Sequence, residues 1–131
     1  MSTKKAPRKH IDELHADHRL WTNNMKFYLD ELTIFENRLG ELVTKNTKLE
    51  VVSQIEHFQN QFILQKEAAN QLIRKFKDHD KFLAKQAKAN PVAIDHVLFD
   101  DHTKLHEETA TYEKLYKTLK KEYMKFLSKW M

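Results

Sequence analysis

Cysteine is absent from this 131-residue chain, glycine occurs once and proline twice. Without thiols there is no disulfide, no thiolate metal site and no cysteine nucleophile. One glycine cannot build a glycine-rich phosphate loop, and so few backbone breakers favour few, long elements. No apolar run approaches the ~20 residues that a membrane-spanning helix needs. The opening MSTKKAPRKH is basic but runs into IDELHADHRL, which cannot serve as the apolar core of a signal peptide. A cytoplasmic location is the expectation. Hydrophobic residues make up 40% and charged residues 32% of the chain, a globular balance at a length that suits one domain.

The net charge of +4 is local. Lys4, Lys5, Arg8 and Lys9 stand in residues 1–9 with no acid among them, and they account for the whole excess. Residues 1–9 read as a basic, disordered arm on a neutral body (10–131), which argues against a basic nucleic-acid docking face. Neither nucleic acid nor membrane is an expected partner.

Three stretches keep an unbroken 3–4 spacing, the mark of coiled-coil packing. The first runs Ile11, Leu14, His18, Trp21, Met25, Tyr28, Leu32, Phe35, Leu39, Leu42. The second runs Val51, Ile55, Phe58, Phe62, Gln65, Ala69, Leu72, Phe76, His79, Leu83, Gln86. The third runs Asp95, Leu98, His102, Leu105, Thr109, Tyr112, Tyr116, Leu119, Tyr123, Phe126, Trp130. The fold class that follows is all-α: an antiparallel three-helix bundle with heptad packing, its helices covering about 8–45, 48–89 and 91–130. Thr47-Lys48-Leu49-Glu50 has the form of a capping box, and Asn46 before it suits a left-handed helix end. Asn90-Pro91 reads as the N-cap and first residue of the third helix. Gly40 falls inside the first helix near its end, at a cost of ~1 kcal/mol. Acids gather in the first part of the third helix and lysines in its second part, which complements the helix dipole.

Short turns allow the seams to be aligned by height. A first turn near residue 46 sets facing residues of the first two helices at numbers adding to about 91, and a second near residue 90 sets the next pair at about 180. His79 then lies level with His102, with His15 beside that level, His18 about one turn further in, and His106 following His102 on its helix. His10 and His96 fall near the same end, as do Asp12, Asp80 and Asp95. His57 stands alone on an outward position. Two readings compete for the cluster. In one it is a divalent-metal site for zinc or iron, with His102 and His106 chelating at i, i+4 and His79 and His15 or a carboxylate completing the shell, His18 being the further candidate. In the other the end of the bundle is wet, so its seam tolerates polar residues that fix register.

The sequences His15-Ala16-Asp17-His18 and His102-Thr103-Lys104-Leu105-His106 resemble hemerythrin-type bundles in carrying histidines on long helices. That family uses four helices and a histidine-x-x-x-glutamate on the second, where this chain has His57 and Gln61. By height His57 falls roughly 24 Å from His18 along the axis, so the two cannot share an ion. No glutamate-x-x-histidine pair of the ferritin-like kind is present.

Nothing in the chain reads as catalytic machinery. Ser53 falls on an outer face, Asp100 and Asp101 read as helix solvation, and a coiled-coil seam offers no substrate-sized cavity. An enzyme is not expected. One feature lies outside the core: Leu20, Phe27 and Ile34 recur every seven residues off the first seam, with Ile63 and Leu64 placed near Phe27 by height. An apolar stripe off the seam reads as an interface for a partner helix or a second copy. The leading functional expectation is therefore a non-enzymatic interaction or scaffold module, able to homodimerise. The alternative is a metal-binding bundle.

Overall fold

A computed structural model describes residues 11–89 and 95–130, excluding the side chains of residues 11 and 95–99. The expected arm 1–9, His10, the Asn90-Pro91 helix start and the side chains of Ile11, Asp95, His96 and Leu98 lie outside the described residues. Three helices follow in order: α1 (Ile11–Lys45), α2 (Leu49–Ala89) and α3 (Asp95–Trp130). Among the described residues there is no strand, and no helix is long and apolar enough to cross a membrane.

The 3–4 rhythm is what packs these helices into a bundle. Every seam position with a described side chain is buried, apart from Tyr28, Gln65, Gln86 and Trp130, which are half-buried. Off the seams only Ile73 joins the buried set among the described residues. Removing a large apolar side chain from water stabilises by roughly 1.5–3 kcal/mol. Residues such as Leu32, Leu39, Ile55, Phe62 and Leu83, at 1% exposure or less, thus dominate the stability. Partners run in opposite chain order between neighbouring helices. His15 of α1 meets Asp80 of α2 while Glu36 meets Lys66; His79 of α2 packs near His102 of α3 while Phe58 packs on Phe126.

α1 and α3 run alongside each other with aromatic rings between them. Trp21 lies on His102, Tyr28 on Tyr116 and Phe35 on Tyr123, with centroids 4.5 to 4.9 Å apart. The four tyrosine hydroxyls all find acceptors: Tyr28 donates to Glu113, Tyr112 to the Gln65 carbonyl, Tyr116 to Glu31 and Tyr123 to the Phe35 carbonyl. Glu31 also takes Lys120 at 2.8 Å. Burial raises all four hydroxyl pKa values, those of Tyr28 and Tyr123 to about 12.

The turn between α1 and α2 is built differently from the expectation. No described residue, Gly40 included, has a positive φ, so Asn46 does not close α1 with a left-handed backbone. Its side-chain amide instead donates to the Leu42 carbonyl at 3.0 Å, satisfying one of the acceptors stranded at the helix end. α2 is opened by the Val52 amide donating to the Lys48 carbonyl at 3.0 Å, one residue later than a Thr47 cap requires, and the Thr47–Glu50 capping box is not formed. The register also moves. Trp21 faces Phe76 and Phe35 faces Phe62, roughly a turn and a half from the alignment that a turn at residue 46 implies. Part of the displacement follows from the helix ends, Lys45 and Leu49.

Gly40 lies within α1, and a methyl group built on it meets nothing within 4 Å. Gly40→Ala should therefore stabilise the protein by about 0.5–1 kcal/mol, through helix propensity and a less flexible unfolded chain. Chemical denaturation checks this; an unchanged or lowered midpoint would contradict it.

Candidate metal centre

Each helix places one histidine on its seam at the same level: His18 from α1, His79 from α2 and His102 from α3. All three are buried, with exposures of 1%, 8% and 3%. Ring centroids are 5.1 Å apart from His18 to His79, 5.1 Å from His18 to His102 and 6.2 Å from His79 to His102. One ring nitrogen from each lies within 4.8 Å of those of the other two.

The level is bounded by apolar side chains. On one side it meets Trp21 and Phe76, whose rings contact His18 and, through Trp21, His102. On the other side Leu14 and Leu83 form a small apolar cluster with Ala87. The histidines are therefore a polar layer between two apolar ones, not the frayed end of the seam.

Carboxylates fix the rings. Asp80 of α2 accepts from His18 Nδ1, and from His15 Nδ1 at 2.8 Å. Asp17 of α1 accepts from His102 Nε2 at 2.9 Å. With Asp80 and Asp17 accepting, His18 Nδ1 and His102 Nε2 are the donating nitrogens of these rings. His18 Nε2 and His79 Nε2 are buried without a hydrogen-bond partner. A buried acceptor left this way costs about 1–3 kcal/mol. Around the level the acids act between helices: Asp80 of α2 on His18 of α1, Asp17 of α1 on His102 of α3, and Asp101 of α3 electrostatically on His79 of α2. Each of these aspartates is also the chain neighbour of a seam histidine, in Asp17-His18, His79-Asp80 and Asp101-His102.

The altered α1–α2 register decides which histidines meet. It sets His79 opposite His18, so His18 takes the inner place and His15 is displaced to the rim, where Asp80 holds it. His106 belongs to neither group of three converging ligands among the described residues; its ring packs against Trp21 at 5.6 Å. His57 is exposed and packs on Phe58. Sequence reasoning passed over Asp17 and Asp101, although the acid–histidine dipeptide repeated at all three seams carried the signal.

Three buried imidazoles with converging ring nitrogens, two of them backed by carboxylates, have the chemistry of a transition-metal ligand set. A tetrahedral ion at ~2.0–2.1 Å from each nitrogen requires the nitrogens about 3.3 Å apart, closer than the 4.8 Å within which they lie. A groove of about 310 Å³ between α2 and α3, lined by Lys75, His79, Asp101, Lys104, Leu105 and Glu108, reaches the layer at His79. Compared with known proteins, the chain matches no family model, no curated protein and no solved structure.

Burial lowers the His79 pKa, helped by His18 and His102 and opposed by Asp101 and Asp80. The unfolded chain then binds the proton more readily than the folded one, so this contribution is complete above the unfolded pKa of about 6.5 and is lost as pH falls through it toward the folded value. The melting temperature of metal-free protein should drop between pH 7.5 and 5.5, and His79→Leu should reduce the slope. A melting temperature flat over that range would contradict the assignment.

Proposed function

We propose that this bundle is a divalent-metal-binding protein whose ion is held by His18, His79 and His102. The observation that carries the reading is the convergence of three buried ring nitrogens, one from each helix, with carboxylates behind two of the rings. An all-imidazole set suits zinc or copper better than iron(II), which favours carboxylate in its shell; zinc is the ion we favour. The ion offsets the cost of the stranded lone pairs and ties all three helices at one point, and the groove at His79 gives it an entry path. The reading is of a binding protein rather than an enzyme, in the cytoplasm.

Protein purified without an affinity tag should contain at least one equivalent of metal or take up zinc when it is added. Zinc at a hundredfold excess over Kd adds about 2.7 kcal/mol, a rise in melting temperature on the order of 10 °C. His79→Leu and His102→Leu should abolish the rise. Metal-free protein whose melting is unmoved by zinc or iron would reject the reading.

A second reading concerns the outer face of α1, and the observation favouring it is exposure. Leu20, Phe27 and Ile34 are 57%, 58% and 59% exposed at seven-residue spacing. Ile63 and Leu64 on α2 are also exposed, and the observed register brings them level with Ile34 rather than Phe27. We propose this stripe as a self-association face, which makes the bundle an interaction or scaffold module as well. Sedimentation equilibrium should show a dimer for the wild type and a monomer for Phe27→Lys; a wild-type monomer would remove self-association.

A further inference from the structure

His18 belongs to two ligand groups at once. One group joins it with His79 and His102, the other with His15 and Asp80, the ligand atoms of each group lying within 4.8 Å of one another; its Nδ1 bonds Asp80 Oδ1, as does His15 Nδ1, while its Nε2 is buried without a hydrogen-bond partner. Resting on the metal-binding reading above, we propose that His18 bridges two divalent cations: the inner one, and an outer one held by His15, His18 and Asp80.

The local geometry suits a chelate. His15 and His18 stand one turn apart on α1 and direct their Nδ1 atoms at the same Asp80 oxygen on α2. Two imidazole nitrogens and a carboxylate oxygen are a recognised set for a first-row divalent ion with open positions. The outer set is partly accessible, with His15 and Asp80 each about a third exposed at 32% and 37%, so an ion can reach it without opening the core. The two Nδ1 protons directed at Asp80 Oδ1 stand where the cation would bind.

The proton balance closes. His18, already bound through Nε2 to the inner cation, releases its Nδ1 proton to solvent and becomes an imidazolate. His15 moves its proton from Nδ1 to its Nε2, and Asp80 changes from hydrogen-bond acceptor to ligand. Two neighbouring cations would repel each other, but the charges present compensate them: the imidazolate, Asp80, Asp17 and Asp101 together supply four negative charges against the four positive charges of two divalent ions. A single inner ion against the three aspartates leaves one negative charge in excess.

Calorimetric titration with zinc, on tag-free protein stripped of metal, tests this directly. The wild type should take up two equivalents and His15→Ala one, with its zinc-dependent rise in melting temperature retained; far-UV circular dichroism confirms that the variant keeps its helices. Titration with copper(II) distinguishes a bridge from two independent sites: coupling through the imidazolate should cut the paramagnetic resonance signal per copper severalfold between one and two equivalents, and His15→Ala should show no such loss. One zinc equivalent in both proteins overturns the outer site and leaves the inner one standing. Two equivalents with an undiminished copper signal overturn the bridge. No uptake at all overturns this inference together with the reading on which it rests.

Discussion

Burial of one stripe per helix is the constraint to which everything else in this protein answers. The described core side chains lie on three seams with a single addition, Ile73, so each seam position contributes to holding all three helices. A polar residue placed there takes the position of an apolar one and must also be satisfied out of reach of bulk water. At one level all three helices place histidine on the seam, and the structure accommodates this by enclosing the layer between Trp21 and Phe76 on one side and Leu14 and Leu83 on the other.

How the bundle treats its other polar seam groups makes that layer informative. Buried polar atoms are satisfied as a rule, and the tyrosines obey it: each hydroxyl has an acceptor within 3.2 Å. Thr109 gives its hydroxyl back to the Leu105 carbonyl. Gln65 Oε1 and Trp130 Nε1 are single unpartnered atoms elsewhere. Among the described residues, only in the histidine layer do unpartnered nitrogens from different helices, His18 Nε2 and His79 Nε2, stand side by side.

Much of this was legible in the sequence because burial follows period. The 3–4 spacing located the helices and the seam residues, and it placed His79 beside His102. The relative height of α1 and α2 was less accessible: it depends on how a three-residue turn is built, and the turn uses the Asn46 side chain and the Lys48 carbonyl instead of the expected capping box. That difference exchanged His15 for His18 in the inner layer. His106 was expected to chelate because it follows His102 by four residues, but four residues along the helix leave it beside Trp21 on the rim. The carboxylates behind the rings lie off the seam, where a search for seam residues does not look.

The ligand set is distributed as evenly as three helices permit, and this has a consequence for assembly. The α1–α2 hairpin alone carries two of the three inner imidazoles, and α3 supplies the last. Whatever occupies the layer therefore senses whether the third rod has docked, and docking in turn sets how tightly the layer closes. By reciprocity the two equilibria share one coupling free energy. Under the metal-binding proposal, completing the tertiary structure and filling its centre would each favour the other.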